Sequence, residues 1–324
     1  MDERVESTSQ TGEEERESVP PTVLAPHSRR RLALKIFGFI VGVGLLAWII
    51  QRAIARQQFT GLSDAHWWQF ALLLLCTVVS MAANGAIFWS IIRPVAPIGL
   101  WPIQAVNAAV SLVNYSPVRI GVALRLIHHR TVDGVAYAVL LAWYAGFALL
   151  TLLTLGCVLG ATLMRPAVDG WWAAILLAML AIAAAAAVWA GSHRLLEGRW
   201  HGASRMLASP SAVSLAIALR LVDMIAYGGR LYLAITILGV PVTPRDGVVL
   251  TILSMISSLS PVGSFGVREF AVAWLGPMLA DASLAERIDA AVLIDRAAEV
   301  LVVVPIGVLA LLWIGRSWRR LKRA

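Results

Sequence analysis

Ser116-Pro117-Val118-Arg119-Ile120-Gly121-Val122 and, further along, Ser260-Pro261-Val262-Gly263-Ser264-Phe265-Gly266-Val267-Arg268-Glu269 are the two places where long apolar stretches of this chain are broken. The first break lies in 101–127 and the second in 247–280, each stretch otherwise apolar enough to sit in lipid. Proline removes a backbone donor and glycine frees the chain, so neither segment reads as continuous helix. Broken backbone survives in hydrocarbon only where protein or water satisfies the freed N–H and C=O groups. How these two segments are read therefore decides between a bundle of plain spans and a bundle with a polar interior.

The surrounding chain is a membrane sequence. It is 59% hydrophobic and 14% charged, with a mean hydropathy of +0.77; soluble domains carry about 25% charged residues. Runs long enough to cross a bilayer occupy 32–50, 67–92, 132–163, 171–190, 211–238 and 289–315, about 20 apolar residues being sufficient. The run 132–163 is over-long and reads as tilted or extended past the bilayer. Trp67, Trp68, Trp171 and Trp172 stand at run edges, where indole favours the membrane–water interface. Residues 1–30 form a polar tail of net charge −3, read as disordered and not as a cleavable signal, which leaves +11 on the rest. Those basic residues cluster between apolar runs, as topology signals do, and not in a nucleic-acid-binding patch.

The positive-inside tendency orients the chain. With Arg29, Arg30, Arg31 and Lys35 cytoplasmic, the loop 191–210 and the basic tail Arg316–Arg323 are also cytoplasmic only if 101–127 and 247–280 do not cross. The expected fold is an all-α polytopic membrane protein: six transmembrane helices plus two re-entrant broken-helix hairpins entering from opposite faces. The likeness of the two breaks makes them an inverted pseudo-repeat, with halves at about 67–165 and 211–315 within a membrane domain 31–324. The expected location is a bacterial plasma membrane, with both termini cytoplasmic.

Two groups of residues could carry chemistry. At the breaks, half-helix N-termini offer free N–H donors, and Arg119 and Arg125 add planar guanidinium forks suited to phosphate. Arg268 and Glu269 follow directly on the second break. Within unbroken spans, Arg220 and Asp223 share a helix face, with Arg220 about 15 Å deep at 1.5 Å per residue, and Arg296 and Glu299 do the same. Each buried charge costs a few kcal/mol or more unless a partner compensates. The alternative for all of these is internal pairing that fixes helix packing, with prolines as simple kinks. Arg230 reads as an outer-edge residue that snorkels, and His128-His129-Arg130 as a headgroup or loop contact at the cytoplasmic edge. Asn107 and Asn114 read as packing or cavity residues. Cys76 and Cys157 lie in apolar runs without metal-ligand spacing, and no motif for a nucleotide, a metal or a nucleophile–base pair is present. No cofactor is expected.

Asn114, Pro117-Val118-Arg119-Ile120-Gly121 with Arg125, together with Pro261 through Gly266-Val267-Arg268-Glu269 and Arg296, resemble the signatures of the flippase-like membrane domain family, also called the lysylphosphatidylglycerol synthase transmembrane region. The resemblance covers about residues 31–318. The family often places an acid right after the first glycine, where this chain has Val122. The aminoacyl-transferase part of the bifunctional synthases is not expected here, so lysyl-lipid synthesis is not either. The resemblance implies a domain that moves anionic phospholipid or polyprenyl-phosphate lipids between leaflets, with Asn114, Arg119, Gly121, Arg125, Gly263, Gly266, Arg268 and Glu269 on the headgroup. Arg220, Asp223, Arg296 and Glu299 would be supporting charges. The alternatives are a scaffold for a lipid- or glycosyl-transferase and a membrane-embedded transferase.

Overall fold

The computed structural model describes residues 26–60, 62–115, 120–193, 201–258, 266–280 and 282–321. The acidic tail before Pro26, Arg119 and Gly263 lie outside these. Among the described residues every regular element is helical. The main helices are α1 (Pro26–Ala55), α2 (Trp67–Ile92), α3 (Leu100–Val113), α4 (Gly121–Thr131), α5 (Tyr137–Met164) and α6 (Gly170–Gly191). They are followed by α7 (His201–Leu207), α8 (Pro210–Ile237), α9 (Pro244–Ser258), α10 (Val267–Leu279) and α11 (Ile288–Leu321).

Among the described residues five helices, α2, α5, α6, α8 and α11, are long and apolar enough to cross a membrane. The expected first span is helical too: α1 runs 30 residues from Pro26 to Ala55, with Ile40–Ala55 its described apolar portion. The over-long run 132–163 is corrected. Gly134 takes φ +67° between α4 and α5, so the spanning helix begins at Tyr137. Sequence chemistry sets the other ends. The Asp169 carboxylate accepts the Trp172 N–H at 2.9 Å at the start of α6. Ser209 caps α8 ahead of Pro210, whose missing N–H is no loss in the first turn, and Gly239 at φ +76° follows its end.

The exterior is apolar, as lipid requires. Ile225 is 74% exposed and Leu163 73%, while Trp67, Trp101, Trp171 and Trp189 project at helix ends. Inside, α2 runs antiparallel to α8, with Ser80 on Asp223 and Cys76 beside Gly229. One apolar core joins Ile91, Ile92, Trp143, Leu207 and Val213 at one end of the bundle, and a second joins Leu73, Leu238, Leu284 and Ile288 at the other. A third fastens α3 to α11 through Val106, Ala109 and Ala310.

The order long, short, short, long occurs twice, as α2–α3–α4–α5 and α8–α9–α10–α11. Both short pairs fold back on themselves. α3 descends along α11 with Ala108 and Leu112 against Gly307, where a Cβ would come within 2.5 Å of the Leu112 Cβ. α4 returns beside it, with Arg125 on Asn107 and His128 on Trp318 near the α11 C-terminus. α9 and α10 pair in the same way, Gly276 packing on Leu250. Their outer ends lie by Tyr232 and Ile288, at the opposite end of the bundle.

Candidate functional site

Helical spacing assembles the site from four elements. On α8, Arg220, Asp223, Tyr227 and Arg230 recur at three- and four-residue intervals and share one face. On α11, Asp295 and Arg296 stand four and three residues before Glu299, while the first turn of α10 carries Arg268 and Glu269. The turn before α10 requires glycine. Gly266 has φ +80°, and a Cβ there would lie 1.7 Å from the Gly42 carbonyl oxygen of α1. Its N–H donates to Glu269 Oε2 at 2.8 Å, so the acid caps the helix that carries it.

Three arginines and three acids then close on one another. Arg230 is paired with Asp295 through Nε, and its Nη2 reaches Glu299 Oε2 at 3.1 Å. Arg268 donates through Nη1 to Glu299 Oε2 at 2.8 Å and to the Tyr227 hydroxyl at 2.8 Å. Its Nη2 donates to Asp295 Oδ2 at 3.1 Å and its Nε to Glu269 Oε1 at 3.2 Å. Arg296 meets Glu299 Oε1 at 2.8 Å and lies 3.1 Å from Glu269 Oε1. Formal charges cancel, which lets such a group persist in a low-dielectric interior. Glu299 is the most accessible of the six, its side chain 18% exposed against 6% or less for the others. The Tyr115 hydroxyl, from the end of the α3 limb, donates to Glu299 Oε1 at 3.0 Å.

A second pair lies deeper along α8. Arg220 Nη1 donates to Asp223 Oδ2 at 2.6 Å and Nη2 to Thr151 at 2.7 Å, and Ser80 donates to Asp223 at 2.6 Å. The Arg220 guanidinium lies over Phe147, which stacks on Phe88 at 3.9 Å, and Arg125 covers Phe88 at 3.6 Å. The result is a cation–ring–ring–cation column joining α4 to α8.

The sequence-predicted residues thus divide. Gly266, Arg268, Glu269, Arg296 and Glu299 come together, while Arg220 and Asp223 form their own pair. Gly121 sits against Asn114, a Cβ there falling 2.3 Å from Asn114 Oδ1. Arg125 is buried on Asn107 and Phe88, apart from the network. Arg119 and Gly263 lie outside the described residues. Two expectations are corrected. Arg230 does not snorkel: it is 2% exposed and anchors Asp295 and Glu299. His128 and His129 are fully buried and not at a headgroup surface. Tyr115 and Tyr227 were not anticipated. For Tyr115 the signal is a polar tip at the end of a broken segment, and for Tyr227 a polar tip at helical spacing from Asp223 and Arg230 on α8.

On the lipid-facing side of α8, a cleft of about 330 Å³ opens between α5, α6, α8 and α9, bounded by Leu176, Ile225, Gly228, Tyr232 and Val248. Comparison of the chain with protein-family models, with curated proteins and with solved structures finds no match.

Proposed function

We propose that this chain is a lipid translocase-like membrane protein, passing an anionic phospholipid or an isoprenoid-phosphate lipid between leaflets. The observation that carries this reading is the convergence of the two fold-back pairs on one carboxylate, with Tyr115 from the first and Arg268 from the second both bound to Glu299. The fold-back geometry supports six spans with two re-entrant hairpins entering from opposite faces, related as an inverted pseudo-repeat. With the basic residues facing the cytoplasm, as the positive-inside tendency directs, both chain termini are cytoplasmic, and the chain is assigned to a bacterial plasma membrane.

In this reading the neutral network is a way station. A headgroup phosphate takes the place of Glu299 on Arg268 and Arg296, because guanidinium binds either oxyanion through the same planar fork. Asn114, Gly121 and Arg125 by the first break and Gly266 at the second border the route, and Arg119 and Gly263 are assigned the same headgroup role from their place in the sequence. The acyl or isoprenoid chains stay in lipid along the cleft beside Ile225 and Tyr232. Movement is downhill, or drawn by product removal or an ion gradient.

The test is purified protein in liposomes bearing a fluorescent anionic phospholipid, with outer-leaflet label quenched by dithionite. The expected result is faster loss of protected label than in protein-free vesicles. No acceleration with any of several anionic and isoprenoid-phosphate lipids would overturn the proposal.

A further inference from the structure

The last turn of α4 and the residues just after it hold another cluster, remote in chemistry from the charge network. His128 and His129 are both fully buried. The His129 Nδ1 lies 2.6 Å from Asp133 Oδ2, and His128 Nδ1 accepts the Trp318 indole N–H at 3.1 Å. The remaining nitrogen of each ring, Nε2, is buried with no hydrogen-bond partner among the described residues. Each of the three residues offers a ligand atom within 4.8 Å of those of the other two.

Two buried imidazole nitrogens without partners are costly unless something occupies them. A bound cation uses imidazole lone pairs and a carboxylate together, and the C-terminal turn of a helix adds carbonyl partial charge of the right sign. Asp133 keeps its side chain 21% exposed, which leaves the cluster an approach from solvent. Two imidazoles and one carboxylate suit late first-row divalent ions, with water completing the shell.

We propose that His128, His129 and Asp133 form a binding site for a divalent transition ion of the Zn²⁺ class, gated by Trp318. The gating follows from proton placement. Indole N–H is only a donor, so in the present contact His128 Nδ1 must carry a lone pair. An ion on Nδ1 displaces Trp318 directly. An ion on Nε2 forces the ring proton onto Nδ1, where it faces the indole N–H. By either route the ion and the Trp318 contact exclude each other, so metal binding loosens α11 from α4.

The experiment uses the full chain, purified in detergent without a polyhistidine tag and stripped with chelator. It is titrated with ZnCl₂ by calorimetry and with CoCl₂ by visible absorption. The expected result is one saturable ion per chain with the absorption of tetrahedral or five-coordinate cobalt. His129→Ala abolishes it, and Asp133→Asn, at a partly exposed position tolerant of change, weakens it about 10-fold or more. Trp318→Phe binds several-fold more tightly, because the competing donor is gone. Absence of saturable binding by the wild type, or equal binding by wild type and Asp133→Asn, overturns the site. Unchanged affinity in Trp318→Phe overturns the gate.

Discussion

Tyr115 and Arg268 bind the two oxygens of one carboxylate. The Tyr115 hydroxyl donates to Glu299 Oε1 at 3.0 Å and Arg268 Nη1 donates to Oε2 at 2.8 Å. One donor arrives at the end of α3 and the other at the start of α10, so both broken segments end on the same atom group of α11. Movement of either segment must break or carry along a bond to Glu299.

Glu299→Gln tests that hub. The amide keeps the shape but removes the charge that faces Arg230, Arg268 and Arg296. On the proposed translocase reading, movement of an anionic lipid in proteoliposomes is expected to fall at least about 10-fold, which corresponds to about 1.4 kcal/mol on the barrier. Wild-type rates in a correctly folded Glu299→Gln protein would remove Glu299 from the route.

The network also holds the helices together, and that contribution is separable. Arg230→Met leaves Asp295 buried without its bidentate partner and is expected to cost about 3–5 kcal/mol. Adding Asp295→Leu restores charge balance and is expected to recover more than half of the loss. Denaturant unfolding in detergent reads both. A double variant no more stable than the single would show that charge balance does not govern this pair.

Gly266→Ala probes the elbow before α10. The new methyl meets both a positive φ and the Gly42 carbonyl 1.7 Å away. The backbone strain alone is of order 1–3 kcal/mol, and relief of the clash must push α1 from α10. A loss of thermal stability is expected, together with faster proteolysis within α1. An unchanged melting temperature would contradict the close approach.

Asp169, in the loop between α5 and α6, contributes to the acid limb of stability. Its hydrogen bonds from Arg165 and then from the Trp172 N–H lower its pKa to about 2, against 3.8 for the free group. A folded pKa below the unfolded value means the stabilisation is complete above 3.8 and disappears as pH falls through 2. Asp169→Asn is therefore expected to flatten the melting temperature between pH 5 and pH 2, read by thermal scans in detergent.

Much of the architecture was legible because lipid makes a simple demand: among the described residues five of the six expected runs are spanning-length apolar helices, and the sixth lies in the 30-residue helix α1. Arg220 with Asp223 and Arg296 with Glu299 were legible too, since helical spacing alone puts each pair on one face. Arg230 was not, because its partners stand 65 and 69 residues away. Charge balance would have found it: Arg268 and Arg296 leave one of Glu269, Asp295 and Glu299 uncompensated, and a third buried arginine is required. His128 and His129 were misplaced for a related reason. Their burial depends on Trp143, Trp313 and Trp318 from other helices, which no local pattern in α4 announces.

The distance in sequence between Arg230 and its acids also bears on how the protein is made. A chain emerging from the ribosome presents α8 to the membrane before Asp295 and Glu299 exist. Arg220 brings its own counter-ion one turn along, and Ser80 of α2 is already in place. Arg230 has no such provision, and α8 is the least apolar of the five spanning-length helices, at a hydropathy of 1.5. Until α11 is synthesised, Arg230 must be served by water, by lipid headgroups or by the Tyr227 ring over which it lies. Closure of the network is thus the last pairing that the order of synthesis permits, because Asp295 and Glu299 stand on α11.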